Sequence, residues 1–184
     1  DELRGLAAAD AAASAPGDGA FGPPRWLQQA GDAIAALDAR RLHEHLAEAA
    51  EVLGAVGAVD AVIRPLVAGL ADLDPLHRSA ARVVLRVHLD GIVERSWSAA
   101  AGDAPALVVC AARPGSQLEA LEAAAIAGAE GWRVTLVEDP TAIGGLGDLA
   151  SGLAGLPVLL AGGAPDLGER LPGDGRCLIL TDDP

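Results

Sequence analysis

The sequence predicts a four-helix bundle followed by a small α/β domain with a parallel sheet. Two short apolar runs, residues 106–110 and 133–137, flank a helical pattern over residues 117–130. This is a βαβ unit, and unbroken apolar runs of this kind are typical of strands buried on both faces. Four amphipathic patterns with short joints precede it within residues 24–98, as in a helix bundle.

The segment before the bundle, residues 1–23, is predicted to be a linker from an upstream segment. Its second half is rich in glycine and proline, which interrupt helices and give flexible connections. The chain does not begin with methionine, so we expect it to be a fragment of a longer protein.

The predicted helix boundaries rest on capping and helix-breaking residues. Pro24 suits a first helical turn, Asp38 can cap the second helix, and Asp74 begins the fourth. Gly54 and Gly57 are expected to end the second helix, because glycine favours helix ends.

Pro65 lies inside the third predicted helix, residues 58–71, and should kink it because proline donates no backbone hydrogen bond. Apolar residues recur at helical spacing along all four helices and are expected to face one core. They are Trp26, Ala30, Ile34, Leu37, Leu42, Leu46, Ala49, Leu53, Val56, Val59, Val62, Ile63, Leu66, Leu70, Leu76, Ala80, Val83, Val84, Val87 and Val93.

The α/β domain is predicted to span residues 105–184, after a polar joint at residues 98–105. Residues 156–161 and 176–180 are short apolar runs that predict a third and a fourth strand. In open parallel sheets ligands bind at the carboxyl ends of the strands, which here means around residues 111–117.

Composition limits the function classes. The formal net charge of −13 argues against nucleic-acid binding by this segment, because that affinity depends on Lys and Arg neutralising phosphate. Cys110 and Cys177 lie in apolar runs and are expected to be buried thiols of a reduced compartment rather than a disulfide. The absence of a leader and of a long uncharged span predicts a soluble cytoplasmic protein without membrane contact.

Several short motifs occur in the order found in a known family. They are Leu-Asp-Ala at residues 37–39, Leu53-Gly54, Pro65-Leu66, Pro114-Gly115, Gly-Trp-Arg-Val at residues 131–134, and Gly162-Gly163. This order resembles the cobalamin-binding module of methionine synthase and of light-sensing MerR-type transcription regulators of the CarH/LitR kind. The resemblance implies a flavodoxin-like (Rossmann-like) α/β domain, shortened by a βα unit.

The residues that hold cobalamin in that family are replaced in this chain. Leu76-His77 stands where the family has a Glu-His pair above the corrin, and Leu118 stands where it has the axial histidine. Leu118 cannot coordinate cobalt, and Leu121, in place of a family glycine, would obstruct the corrin. The resemblance therefore implies a module that has lost cobalamin, with no cofactor and no metal.

Four residues are predicted to bind a small-molecule ligand: His77, Arg113, Ser116 and Gln117. The backbone amides of residues 115–117 at a helix N-terminus could hold an anion, with Arg113 nearby. His77 survives from the family's upper site, so the pocket is expected between the bundle and the strand ends. For His77 the alternative is an ordinary histidine near a helix start.

No catalytic residue is predicted. Ser116 opens a helix after a strand, but it has neither a Gly-x-Ser-x-Gly motif nor an evident base. The two histidines of His43-Glu-His45 point to nearly opposite helix faces and cannot chelate a metal together. His88 is expected to be partly exposed, and Glu122 to lie on a solvated helix face.

The resemblance implies the sensing and oligomerisation half of a MerR-type transcription regulator, with a DNA-reading segment upstream of Asp1. The expected partners are a second copy of the chain in a homo-oligomer, a small-molecule effector, and DNA through the upstream segment only. Ligand binding would shift the helical half against the α/β half and so change the spacing of two DNA-reading arms. The alternatives are a cobalamin, tetrapyrrole or other small-molecule carrier with a non-standard site, and a purely structural dimerisation domain. An enzyme is not expected.

Overall fold

The computed structural model describes residues 23–100, 102–113, 115–139, 156–162 and 177–180, the last group by its backbone alone. Residues 1–22 of the predicted linker (residues 1–23), Pro114 and Gly163 lie outside the described residues. Pro23, predicted as the last residue of the linker, begins a helix instead. The described residues form a helical region followed by a parallel α/β region, which confirms the predicted order.

The helical region consists of α1 (Pro23–Ala35), α2 (Ala39–Ala58), α3 (Arg64–Gly69) and α4 (Pro75–Ala99). A π-helical turn (Val59–Ile63) separates α2 from α3, and a 3-10 turn (Leu70–Asp72) follows α3. The α/β region consists of β1 (Ala106–Ala111), α5 (Gln117–Ala129), β2 (Arg133–Val137), β3 (Val158–Ala161) and β4 (Cys177–Leu180).

The predicted cap at Asp38 is confirmed, and so is the predicted helix start at Asp74, where the aspartate also acts as a cap. Asp38 accepts a hydrogen bond from the N–H of Arg41 at 3.0 Å. Asp74 accepts from the N–H groups of Leu76 and His77, at 3.0 and 3.3 Å. These bonds satisfy first-turn amides that have no acceptor within the helix, so they fix where α2 and α4 begin.

The glycine signals of this region act differently from the prediction. Gly54 has φ 74° and ψ 170° and interrupts α2, whereas Gly57 stays helical. Directly before Pro65, the bond from Arg64 N–H to the Val59 carbonyl closes the π-helical turn. Proline donates no backbone hydrogen bond, so this irregular turn lies next to the missing donor, and the kink at Pro65 stays a prediction.

α4 buries only part of the predicted face. Val84 and Val93 are buried as predicted, but Leu76, Val83 and Val87 are 63%, 61% and 57% exposed. The prediction is wrong for these three because α4 carries apolar residues on two adjacent stripes, and periodicity does not say which stripe meets α5. The residues that α4 buries are Ala81, Val84, Leu85, His88, Leu89, Ile92, Val93 and Ser96.

The end of α1 also departs from the prediction. Leu37 is exposed rather than buried, since it follows the helix in a left-handed conformation with φ 54°. Trp26, Ala30 and Ile34 are buried as predicted.

The four strands form one parallel sheet in the order β2-β1-β3-β4. β1 is a central strand, and every residue in it except Ala106 is buried, as predicted for a strand covered on both faces. Cys110 within it is a buried thiol. Because the strands are parallel, β1, β2 and β3 end on one side of the sheet, which we term the carboxyl edge.

The helical and α/β regions share one hydrophobic core, which runs from Trp26 in α1 to Ala161 in β3. α4 packs closely on α5: a Cβ atom on Gly128 would lie 2.2 Å from Ser96 Oγ, so glycine permits the approach. Trp97 donates its indole N–H to the Val134 carbonyl of β2 at 2.8 Å. α4 is therefore one of the elements that join the two regions.

One helical stretch, Ala39–Asp72, could cross a membrane by length and composition, with a mean hydropathy of 1.6 in its most apolar part. This differs from the prediction that no such span exists. Leu46, Val62 and Ile63 of this stretch are buried in the protein core. Core helices meet the same criterion, so the stretch is a weak indication of a membrane span.

Candidate functional site

The loop between β1 and α5 is held closed by its own polar groups. Ser116 is fully buried; its hydroxyl donates to the Arg113 carbonyl at 3.0 Å and accepts the Arg113 N–H at 3.3 Å. Gly115 has φ 104°, and its N–H donates to Oε1 of Gln117 at 3.0 Å. The predicted residues Arg113, Ser116 and Gln117 thus lie together, but Ser116 and Gln117 bond the loop itself.

The turn after β3 packs against this loop. Gly162 has φ 65°, and a Cβ atom there would lie 2.5 Å from Cβ of Ser116 and 3.7 Å from Nε of Arg113. Neither the backbone conformation nor the space suits a larger residue, so this position requires glycine. The two loops therefore form one closed surface at the carboxyl edge.

Two arginines of α4 reach the carboxyl edge from the helical region. Arg82 Nη2 lies 3.4 Å from the Gly115 carbonyl oxygen. Arg86 Nη2 donates to both carboxylate oxygens of Glu138, just beyond β2, at 2.7 and 2.5 Å. We call these contacts the α4 joint. These contacts link α4 to the carboxyl edge of the sheet.

Arg86 also lies near a second carboxylate, since its Nε is 3.7 Å from Asp90. Burial raises the pKa of Asp90; Arg86 lowers it, and the nearby carboxylates of Glu138 and Glu94 raise it again. The Arg86 guanidinium therefore lies close to two carboxylates, those of Glu138 and Asp90.

His77 lies at the start of α4 and makes its contacts within the helical region. Its Nδ1 bonds the Asp74 carboxylate, and its Nε2 lies 3.3 Å from the Ala35 carbonyl oxygen at the end of α1. Desolvation raises the pKa of Asp74, but the bonds from His77 and Leu76 outweigh it and the pKa is lowered. The described contacts of His77 thus differ from those of Arg113, Ser116 and Gln117, and Arg82 is the α4 residue that meets their loop.

Leu118 and Leu121, the two leucines at the positions where the resemblance expects a histidine and a glycine, lie inside the protein. Leu118 and Leu121 are both buried in the shared core. Apolar side chains thus fill the space near the start of α5. Across the described ranges, no group of three or more His, Cys, Asp or Glu residues is arranged to hold a metal ion.

Two buried ionisable residues are missed by sequence reasoning. Glu122, predicted to be solvated, is buried in α5, with Oε2 3.7 Å from Nε of Arg64. His88, predicted to be partly exposed, is only 5% exposed. Burial lowers the pKa of His88 to about 4, and the charges of His43 and Arg95 contribute to the shift.

The burial of His88 and Glu122 could have been predicted from the helical pattern around them. His88 shares its helical stripe with Val84, Leu85 and Ile92, so it occupies a core position of α4. Glu122 sits in a helix that is apolar on nearly every side. In both cases the polarity of the side chain conflicts with the pattern around it.

Comparisons with protein-family models and with curated proteins find no match for this chain. The order of motifs and the arrangement of residues described above therefore carry the functional argument.

Proposed function

We propose that this chain is the sensing and oligomerisation domain of a MerR-family transcription regulator, acting without cobalamin. The motif order in the sequence supports the family. The strand order β2-β1-β3-β4 supports the finer fold, because it matches the first four strands of the flavodoxin-like order. A helical region also precedes the sheet, in agreement with a four-helix bundle joined to a shortened flavodoxin-like domain.

The observation that carries the proposal is the α4 joint. Arg82 meets the Gly115 carbonyl in the loop where a ligand of an open parallel sheet is expected. A small molecule bound at Arg113 and Gln117 would compete with or reinforce this contact, and α4 would transmit the change to the helical region. Binding energy would thereby shift the two regions between arrangements, provided the ligand prefers one of them.

Independence from cobalamin is supported by the burial of Leu118 and Leu121. A corrin at the carboxyl edge would need the space that Leu121 occupies and a ligand atom that Leu118 lacks. The same burial suits the rival proposal of a purely structural dimerisation domain, in which side chains have filled the lost site.

Homo-oligomer formation is supported by the exposed apolar side chains of α4. Leu76 and Val83 are seven residues apart and so lie on one face of the helix, and both are largely exposed. A Val83→Lys variant is expected to shift sedimentation velocity towards the monomer, whereas a Val52→Lys variant, also exposed but on α2, serves as the control.

The first test is titration with adenosylcobalamin and hydroxocobalamin, followed by desalting and an absorption spectrum. A colourless protein is expected. Retained red cofactor would overturn the cobalamin-free proposal and favour a tetrapyrrole carrier with a non-standard site.

The regulatory part is tested on the full-length gene product. We expect a DNA-binding segment upstream of Asp1, and DNA retardation by the full-length protein but not by this chain. Arg82→Gln and Arg86→Gln in the full-length protein should change DNA affinity about 5-fold or more, the lower range of allosteric coupling. Arg40→Gln, a surface arginine of α2 paired with Glu44, is the control. A full-length protein without a DNA-binding segment would refute the regulator proposal.

A further inference from the structure

A groove lies between α2 and α4, away from the carboxyl edge. Its volume is about 340 Å³, and its walls include His43, Ala47 and Glu51 of α2 opposite His88 and Arg95 of α4. This volume falls at the lower end of the range for small-molecule sites, about 300–1,000 Å³. We call it the α2–α4 groove.

His88 is an unusual residue for a groove wall. It is 95% buried, and its Nε2 has no hydrogen-bond partner among the described residues. The His43 ring packs edge-on against it, with ring centroids 5.6 Å apart and an interplanar angle of 75°. With its lowered pKa, His88 is neutral near pH 7 and offers one N–H donor and one nitrogen acceptor. Nε2 is itself enclosed, so a molecule in the groove can reach the ring only through Nδ1.

Charged and apolar side chains line the groove around His88. Arg95 is seven residues beyond His88, and its Nη1 would lie 3.4 Å from a Cβ atom at Gly91, so the guanidinium extends over the glycine that lines the groove. Glu51 stands on the opposite wall. No ion pair involving Arg95 or Glu51 is found in the part of the chain that the structure describes. Ala47 and Val87 add apolar surface.

We propose that the α2–α4 groove binds a small carboxylic acid that also carries a hydroxyl or amino group. Arg95 holds the carboxylate, because a guanidinium offers two parallel donors to a carboxylate. His88 bonds the hydroxyl or amino group through Nδ1, and Glu51 accepts a further hydrogen from it. The carbon skeleton lies against Ala47 and Val87. This site goes beyond the proposed function, since it needs neither DNA nor the carboxyl edge.

Four probes of one carbon skeleton separate these contributions. They are 2-hydroxy-4-methylpentanoate, L-leucine, 4-methylpentanoate without the second polar group, and 4-methyl-1-pentanol without the carboxylate. Each is titrated into this chain while the imidazole resonances of His88 are followed by NMR. Either of the first two probes is expected to shift them, with affinity at least about 10-fold above that of the alcohol, which corresponds to one charge-assisted hydrogen bond.

Two variants assign the contacts. Arg95→Gln, at an exposed position, should reduce affinity for the acids about 10-fold without lowering it for the alcohol. His88→Phe should remove the preference for the hydroxy acid over 4-methylpentanoate. Arg133→Gln, at an exposed arginine of β2, is the control and should change neither.

Three results would overturn the proposal. The first is the absence of any His88 shift with all four probes, and the second is equal binding by the parent chain and Arg95→Gln. The third is a His88 shift that depends on protein concentration alone, since a second copy of the chain would then cover the groove. Arg95→Gln keeps the test decisive if His88→Phe does not fold.

Discussion

The carboxyl edge and the α2–α4 groove differ in how their polar groups are satisfied. At the edge, Ser116 bonds Arg113, Gln117 bonds Gly115, and Arg86 bonds Glu138. In the groove, Arg95 and Glu51 form no ion pair with any of the described residues, although both line it. The edge therefore has most of its polar groups bonded within the protein, whereas the groove leaves charged groups open to a ligand.

The largest effect is expected from Gly162→Ala at the edge. The added Cβ would meet Cβ of Ser116 at 2.5 Å, in a conformation with φ 65°. Both the clash and the backbone strain should lower the free energy of unfolding, by about 2–4 kcal/mol in urea denaturation. Gly69→Ala is the control, because no atom lies within 4 Å of its added Cβ. A loss below about 0.5 kcal/mol would mean that the two loops do not pack as closely as described.

The second largest effect is expected on the pH dependence of the free energy of unfolding, through His88 in the α2–α4 groove. The pKa of His88 is about 4 in the folded chain against an ordinary 6.5, and His43, Glu51 and Arg95 face it. Between these values the unfolded chain binds more protons, so stability should fall as pH drops from 6.5 to 4. We expect His88 to account for about 1–2 kcal/mol of this fall, allowing for solvent in the groove.

Urea denaturation of the parent chain and of His88→Leu at several pH values measures this contribution. Carboxylates titrate in the same range, so the quantity of interest is the difference between the two proteins. His45→Gln, at a half-buried histidine of α2, provides the matched control. If the free energy of unfolding changes with pH by the same amount in the parent chain and in His88→Leu, His88 is not buried and neutral as described.

The smallest effect is expected at the α4 joint. Arg86 and Glu138 form a two-oxygen contact and are 47% and 34% exposed. Because both are partly solvated, Arg86→Gln should lower the free energy of unfolding by only about 0.5–1 kcal/mol, and less at high salt. Arg40→Gln should have almost no effect, since Arg40 and Glu44 are more exposed and 3.4 Å apart. Equal losses in both variants would mean that the joint adds nothing beyond an ordinary surface pair.

The sequence predicts the local features of this fold well. The βαβ unit and the caps at Asp38 and Asp74 were predictable because each depends on neighbouring residues. Arg113, Ser116 and Gln117 come together for the same reason, since all three follow β1 directly. Their bonding to one another was not predictable, because it depends on a loop conformation set in part by Gly162.

Features that depend on what packs against an element were harder to predict. The buried stripe of α4 contains His88 and Ser96, and Ser96 fits only because Gly128 of α5 leaves room. His77 was expected near the strand ends, yet it precedes Arg82 by five residues, about 7.5 Å of helix. His77 lies away from the carboxyl edge because the edge contacts α4 at Arg82 and Arg86. Hydrophobic periodicity does not predict at which turn of a helix such a contact falls.

The bond from Trp97 to the Val134 carbonyl has a consequence for aggregation. β2 is an outer strand of the sheet, and outer strands present unpaired backbone groups to which a foreign strand can add. The indole occupies one of those acceptors at 2.8 Å, and α4 stands in the path of an incoming chain. Trp97 thus hinders the addition of a foreign strand to β2, whereas β4, the other outer strand of the described sheet, has no such contact described.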